Sequence, residues 1–98
     1  MGYRLKFLPI ALKEWEKLDP PIREQFKKRL AERLELPRVQ SARLHGFEDV
    51  YKIKLRSAGY RLAYQIFDDA AIVIVLAVGK REKGSIYETL ASRVPSNP

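Results

Sequence analysis

Polar and apolar side chains alternate along the stretch from Tyr51 to Arg61, which also carries four cations and no carboxylate. This pattern constrains the fold more than any other feature of the chain, because successive side chains of a β-strand point to opposite faces of a sheet. A strand over about residues 49–56 turns Tyr51 and its aliphatic neighbours to one face. The opposite face then carries Lys52, Lys54 and Arg56.

A turn at Ala58-Gly59 is expected to reverse the chain into a second strand over about residues 60–67, which makes a β-hairpin. The predicted partners are Ser57 with Tyr60, Arg56 with Arg61, and Lys54 with Ala63. Polar and apolar positions then agree on both strands, whereas a slip of one residue would bury cations. The hairpin therefore presents four cations on one rigid face, here called the basic hairpin surface: Lys52, Lys54, Arg56 and Arg61.

This surface has two interpretations. One face of an antiparallel sheet is often solvated, and lysine there is an ordinary solubility device. The stretch lacks the interspersed acidic residues that such a surface tends to carry. We therefore expect a pocket for a polyanion.

Composition narrows the class of protein. A chain of 98 residues predicts a single domain over 1–98, and a hydrophobic content of 46% excludes a disordered chain. The net charge of +7 favours a nucleic acid or another acidic partner. There is no cysteine for a disulfide or a thiolate metal site. The N-terminus lacks a signal-peptide core, and the longest apolar run, 70–78, is too short to span a membrane, so we expect a cytoplasmic protein without membrane contact.

The N-terminal third predicts a strand and two helices. Alternation over about residues 3–8 predicts the strand, and Pro9 opens a helix with Trp15 as its core anchor. The apolar face of that helix is expected to contain Leu8, Ala11, Leu12, Trp15 and Leu18. Asp19 is the predicted N-cap of the second helix, which continues through Pro20-Pro21 and ends at Pro37.

The second helix has apolar residues at four-residue spacing, namely Ile22, Phe26, Leu30 and Leu34. Its outward cations are mixed with glutamates, which predicts a solvated face with some i,i+4 pairing. Those cations are Arg23, Lys27, Lys28, Arg29 and Arg33.

The C-terminal half predicts the rest of an α+β fold. His45-Gly46 is expected to be a turn in the connection before the hairpin, and Asp68-Asp69 the turn after it. The run 72–78 is apolar on both faces, so it predicts an interior strand that Gly79 ends. Ser85 is expected to cap a short helix bearing Ile86, Tyr87, Leu90 and Val94. The predicted order is β-α-α-β-β-β-α: a twisted four-stranded, mainly antiparallel sheet with two N-terminal helices on one face.

Conventional catalytic groups are scarce. With one histidine, a two-histidine acid–base pair is impossible, and no metal-ligand cluster, nucleophile elbow or phosphate-binding glycine loop is present. We expect neither a metal ion nor a cofactor. Cleavage of RNA would have to use lysine, arginine and tyrosine. Crowded cations lower the pKa of a lysine, so that a neutral Lys52 or Lys54 could take the proton of a ribose 2′-OH.

The remaining roles follow from the same chemistry. Arg61 would neutralise the developing phosphorane, and Arg81, where the buried strand emerges, would stabilise or protonate the leaving oxygen. Proton donation by arginine is the weakest step of this scheme. Tyr87 either stacks on an unpaired base or packs the C-terminal helix onto the sheet, and the pattern alone slightly favours packing.

Several of these segments together resemble the RelE toxins of bacterial and archaeal toxin–antitoxin systems. The specific segments are Tyr51–Leu62, Val78–Arg81 and Tyr87, and weaker matches are Leu12–Trp15, Arg23–Gln25 and Lys27-Lys28. The resemblance covers nearly the whole chain, from Tyr3 to about Arg93. It implies a compact ribonuclease-like fold and a metal-independent mRNA interferase that cuts the codon in the ribosomal A site, leaving a 2′,3′-cyclic phosphate and a 5′-hydroxyl.

The resemblance also implies the site and the partners. The catalytic residues would be Lys52, Lys54, Arg61, Arg81 and Tyr87, and surrounding cations that bind mRNA or ribosomal RNA would be Arg56, Lys80, Lys83, Lys27 and Lys28. Relatives often carry arginine where this chain has Lys83. A lysine at this position keeps the charge but loses bidentate phosphate binding. The implied partners are the small ribosomal subunit, mRNA and a RelB-like antitoxin. The antitoxin would displace the C-terminal helix, and the toxin–antitoxin complex would bind operator DNA through it.

Two alternatives remain open at this point. One is a ParE-type toxin, which has the same fold and poisons DNA gyrase but generally lacks this catalytic set. The other is a non-catalytic nucleic-acid-binding module, for which each lost charge should weaken binding smoothly. A nuclease should instead lose rate sharply with single substitutions.

Overall fold

The computed structural model describes residues 2–81 and 86–94. Its strands are β1 (Arg4–Phe7), β2 (Val50–Leu55), β3 (Tyr60–Phe67) and β4 (Ile72–Lys80). Its helices are α1 (Pro9–Glu16), α2 (Pro20–Glu35) and α3 (Ile86–Arg93), with a 3₁₀ turn at Gln40–Ala42. The predicted α+β order is confirmed; Ser85, the predicted cap of α3, lies outside the described residues.

The four strands form one mixed sheet in the spatial order β1-β4-β3-β2. β1 runs parallel to β4, and the other two pairs are antiparallel. β4 is interior, as its apolar sequence predicted, and β2 is an edge strand. The prediction that Gly79 ends β4 is wrong: Gly79 pairs with Arg61 and Lys80 with Tyr60, so the ladder continues to the first residue of β3.

The hairpin register differs from the predicted one by two residues. Leu55 pairs with Tyr60 and Lys54 with Arg61, which leaves a four-residue loop, 56–59, where a two-residue turn was expected. The amide of Gly59, at φ +71°, donates to the carbonyl of Leu55 at 2.9 Å and closes this loop. A shift of two keeps every side chain on its predicted face, since the strand period is two.

One core cluster lies between the sheet and the first two helices. Trp15 of α1 and Phe26 of α2 are buried there, with ring centroids 6.3 Å apart. The inward face of the hairpin joins them through Tyr51 and Tyr64, whose rings stack at 5.8 Å. Leu12, expected in this core, is 40% exposed because it lies about 100° around α1 from the fully buried Ala11.

A second cluster lies on the opposite face of the sheet, where α3 packs. Ile86 and Leu90 of α3 are buried against Ala63 and Leu76. Lys52 and Lys54 alternate with the residues of the first cluster, so they belong to this second face. The two N-terminal helices and the basic hairpin surface are therefore on opposite sides of the sheet.

A polar cluster joins the far ends of the strands. Arg38 donates to both Asp49 and Asp68 at 2.8 Å, and Tyr3 donates to Asp68 at 2.7 Å. These bonds lower the pKa of the Asp68 carboxyl, first through Arg38. Asp19 occupies the predicted N-cap position of α2 without a side-chain capping bond. Within the described ranges, no helix is both long and apolar enough to cross a membrane.

Candidate active site

The β2–β3 pairing places three of the predicted catalytic cations together. Lys54 and Arg61 are direct cross-strand partners, so their side chains leave the sheet on the same face. Lys52 lies two residues along β2 on that face, opposite Ala63. All three side chains are partly buried. They stand on paired strands, which is the rigid placement that a catalytic group needs.

Lys54 has the lowered pKa that the sequence predicted for the crowded lysines. The pKa of Lys54 is lowered from its ordinary value, first by the neighbouring charge and hydrogen bond of Lys52, then by partial burial and by Arg81 and Arg56. Like charges disfavour a further proton on the same group. Lys54 is therefore the better candidate for a neutral base.

Arg81 is held at the rim of this surface by its backbone. Its amide donates to the carbonyl of Gly59 in the hairpin loop at 2.9 Å. Arg81 and Lys80 line one cavity with Ala58 and Gly59, and the Arg81 side chain is exposed. Since its charge also acts on Lys54, the structure brings Arg81 and the two lysines into one electrostatic unit.

The sheet surface beside Arg61 is bare. Its partner on β4 is Gly79, whereas the next pair on this face, Ala63 with Ala77, is buried in the cluster under α3. A Cβ atom added to Gly79 would meet nothing within 4 Å. A cavity of about 130 Å³ opens here, and its lining includes Arg61, Lys80 and Thr89. The surface next to the guanidinium group is therefore open to a ligand at Gly79.

Tyr87 lies on the first turn of α3 and stacks on Phe47. The ring centroids are 5.8 Å apart with the planes at 20° to each other, and Tyr87 is 43% exposed. The neighbouring Ile86 and Leu90 do the packing of α3 onto the sheet. Tyr87 therefore presents an aromatic surface that Phe47 orients, and Phe47 is a site residue that the sequence analysis did not identify.

The predicted RNA-binding cations are spread more widely. Arg56 is exposed in the hairpin loop and Lys80 is exposed at the end of β4. Lys27 and Lys28 are exposed on α2, where Lys27 lies 4.0 Å from Glu24. Lys83 is outside the described residues. Of these four described cations, Arg56 shares a cavity with Lys52 and Lys54.

Two charged residues near the site were missed or misassigned. Arg33, expected on a solvated face, donates to the carbonyl of Lys52 at 3.1 Å and to the Tyr64 hydroxyl at 2.7 Å. Glu14 lines the cavity beside Arg61, although the sequence places it far from every cation of the hairpin. Neither contact has a local sequence signal, because both depend on how helices pack across the sheet.

Metal chemistry has no obvious ligands among the described residues. No group of three or more histidine, cysteine, aspartate or glutamate side chains is arranged to hold a metal ion there. His45 is exposed in the turn before Gly46, whose φ is +94°, as expected for a turn residue.

Comparison with known proteins identifies several relatives. Residues 5–84 match the family model described as the ParE toxin of a type II toxin–antitoxin system, parDE. The mRNA interferase toxin RelE of Escherichia coli K12 is 51% identical over 94 residues, which are 96% of this chain and 99% of that protein. A putative RelE-like toxin protein from E. coli is 48% identical over the same share of both chains.

Solved structures give the same result. The isolated E. coli RelE toxin matches with a TM-score of 0.81 and 50% identity, covering 94% of this chain and 98% of that chain. The toxin in the intact E. coli RelBE toxin–antitoxin complex matches with a TM-score of 0.81 and 54% identity, covering 84% of this chain and all of that one. An archaeal RelE–RelB complex from Pyrococcus horikoshii, at 19% identity and a TM-score of 0.63, shares the fold.

Proposed function

The chain belongs to the RelE/ParE family of type II toxins as an endoribonuclease of the RelE type, and we propose that it cleaves mRNA in the ribosomal A site. The observation that supports this most strongly is the pairing of Lys54 with Arg61. The pairing places a lysine of lowered pKa directly across from a guanidinium group, on a face that is open at Gly79. This arrangement provides a base and a charge stabiliser for attack on a phosphodiester.

In the proposed reaction the ribose 2′-OH attacks the adjacent phosphorus while neutral Lys54 takes its proton. Arg61 stabilises the added negative charge of the phosphorane. The bond from phosphorus to the 5′-oxygen then breaks, and a proton goes to that oxygen. The products are a 2′,3′-cyclic phosphate and a 5′-hydroxyl, with no water consumed.

Arg81 and Tyr87 have supporting roles in this proposal. Arg81, at the rim beside the hairpin loop, stabilises the leaving oxygen or donates its proton. Tyr87 stacks on a base of the codon, and Phe47 behind it keeps the ring in place. Arg56, Lys80, Lys83, Lys27 and Lys28 bind phosphates of mRNA or ribosomal RNA.

The antitoxin is part of the proposal. E. coli RelE forms a complex with the RelB antitoxin, and a chain that shares about half of its sequence is expected to bind a RelB-like protein. That partner covers the basic hairpin surface, displaces α3 and carries the complex to operator DNA.

A ParE-type gyrase poison remains the alternative because the matching family model carries that name. The relatives at about half identity are RelE proteins, and the catalytic set is present, so the interferase is favoured.

The test uses ribosomes stalled with a defined codon in an empty A site. Primer extension locates any cut, and naked mRNA and the Arg81→Ala variant are controls. A cut within the A-site codon that needs the ribosome and is lost in the variant is expected. Intact mRNA, together with inhibition of gyrase supercoiling by the same protein, would instead establish the ParE-type function.

A further inference from the structure

The two lysines of the proposed site stand on β2, an edge strand that pairs with β3 among the described strands. Every second residue of an edge strand points its peptide N–H and C=O groups away from the sheet. The Val50 carbonyl accepts from the Leu44 amide at 2.9 Å, and the Lys52 carbonyl accepts from Arg33 at 3.1 Å. With a strand period of two, positions 50, 52 and 54 therefore present their peptide groups to the outer edge.

This orientation affects how firmly the two lysines are held. Lys52 with Ala63 and Lys54 with Arg61 are cross-strand pairs of the non-hydrogen-bonded kind. In such pairs the Cα atoms lie about 4.5 Å apart and the side chains are close, but the peptide groups of the two residues do not bond each other. The groups that bind the outer edge of β2 therefore limit how far this segment of the strand can move.

Arg33 binds that edge from α2 with a side chain that is itself fixed. Its Nη1 donates to the Lys52 carbonyl and also to the Tyr64 hydroxyl, the latter at 2.7 Å. The hydroxyl donates its own proton to the Pro37 carbonyl at 2.6 Å, so its oxygen is the acceptor for Arg33. Tyr64 is fully buried, and its ring stacks on Tyr51 of β2. Arg33 therefore connects the outer edge of β2 to the core.

A second arginine of α2 provides the contrast. Arg29 lies one turn before Arg33, and both line one cavity of about 470 Å³ together with Lys52 and Lys54. Arg29 is exposed and makes no hydrogen bond or ion pair with any described residue. The two arginines bring equal charge to the cavity, but of the two it is Arg33 that binds the backbone of a lysine.

We propose that Arg33 is a positioning residue for the cleavage reaction, which fixes the segment of β2 that carries Lys52 and Lys54 by binding the Lys52 carbonyl. The inference rests on the proposed function and adds to it a residue outside the basic hairpin surface. Both hydrogens of Nη1 are used by its two acceptors, and α2 packs on the face of the sheet opposite α3. Arg33 therefore acts through the backbone of Lys52.

The test compares Arg33→Met with Arg29→Met in the whole chain. Methionine suits a helix and removes the charge and the hydrogen bonds of arginine. Single-turnover cleavage on ribosomes with an empty A site is measured over a range of toxin concentrations, which separates the saturated rate from the affinity. Backbone order parameters of residues 50–55, measured by NMR, report on the strand itself. Thermal denaturation defines a temperature at which both variants are folded.

We expect Arg33→Met to lower the saturated rate about tenfold, because catalysis is sensitive to small displacements of the reacting groups. The order parameters of residues 52–54 should fall in the same variant. Arg29→Met should match wild type in both quantities. Saturating toxin removes any effect of a lost charge on affinity, so the saturated rate reports on the bound complex.

Three results would overturn the inference. A wild-type saturated rate in Arg33→Met, with lower thermal stability or weaker affinity, would show a role in folding or binding alone. Equal losses of rate in the two variants would assign the effect to charge. A lower rate with unchanged order parameters would show that Arg33 does not act through the strand.

Failure of the proposed function gives a different result from failure of this inference. If wild type cuts nothing in the A site, the proposed function is wrong, and the order parameters then decide whether Arg33 holds β2. A decrease in Arg33→Met that is absent from Arg29→Met supports that restraint, and unchanged values in both variants contradict it.

Discussion

Glu14 and Arg93, 79 residues apart in the chain, form a two-pronged ion pair at 2.8 and 2.9 Å. Glu14 also accepts from the Val78 amide at 3.2 Å, and Arg93 donates to the Leu76 carbonyl at 2.9 Å. These backbone groups belong to β4 beyond Val75, the last residue that pairs with β1. The two side chains therefore bind backbone groups of β4 at the edge that β1 does not cover, and their ion pair connects α3 to α1.

The first prediction concerns the ion pair between Glu14 and Arg93. Arg93→Ala removes three hydrogen bonds to charged or backbone acceptors and should loosen α3, at a cost of about 2 kcal/mol in the free energy of unfolding. Amide hydrogen exchange of residues 86–94 should rise much more than that of β3. Arg93→Lys keeps the charge but cannot pair in two prongs, so it should be intermediate. Unchanged exchange in α3 would show that its apolar contacts alone hold the helix.

The second prediction concerns pH. The proposed base acts in its neutral form, so the single-turnover cleavage rate should rise with pH and level off below the ordinary lysine value of 10.5. Removal of the neighbouring charge in Lys52→Met should raise the pKa of Lys54 and move the midpoint of the profile to higher pH.

The matched control for the pH profile is Arg4→Ala, whose midpoint should equal that of wild type. Lys54→Met should abolish the rise altogether. If Lys52→Met leaves the midpoint of the pH profile unchanged, Lys54 is not the group whose titration controls the rate.

The third prediction uses the bare surface beside Arg61. Gly79→Val should fold normally, since the added atoms enter open space and valine suits a β-strand. Cleavage should nevertheless fall by about a hundredfold, because the side chain fills the place proposed for the nucleotide. Thermal denaturation and the single-turnover assay measure the two effects. Gly79→Ala, which adds one methyl group, should retain more activity; wild-type activity in the valine variant would refute this placement of the substrate.

The fourth prediction concerns Arg38 and its two aspartates. The pKa of Asp68 is lowered in the folded state from about 3.8, so its ion pair contributes to stability above that value and the contribution is lost as pH falls through the folded pKa. Arg38→Ala should therefore destabilise the protein at neutral pH. The difference from wild type should narrow below about pH 4. Urea denaturation across this range would measure it, and a constant difference would contradict the assignment.

Local periodicity predicted most of the fold. The alternation around Lys52 and Lys54 assigned both strand faces correctly, and the apolar run after Ile72 correctly indicated an interior strand. The length of the hairpin loop was not predictable in this way. A shift of two residues leaves the alternation unchanged, so only the closure of the loop by Gly59 distinguishes the two registers.

Most residues of the candidate site were predictable, but their arrangement was predictable only in part, on the hairpin. Lys54 and Arg61 are close in sequence, and their shared face follows from the alternation, although the predicted register paired Lys54 with Ala63. Arg33 lies beside Lys52, and Glu14 lies near Arg61, because whole helices pack across the sheet. A helix period indicates which residues face outward, but not which strand edge they then meet.

The parallel pairing of β1 with β4 has a consequence for synthesis of the protein. β1 is made first, but among the described strands its partner in the sheet is β4 alone, which begins at Ile72. Such sequence-distant contacts form late. The same late segment brings Gly79 and Arg81 to the hairpin, so a partly translated chain has neither the complete four-stranded sheet nor the complete candidate site. The candidate site is therefore assembled only after the segment that contains Arg81 has been translated.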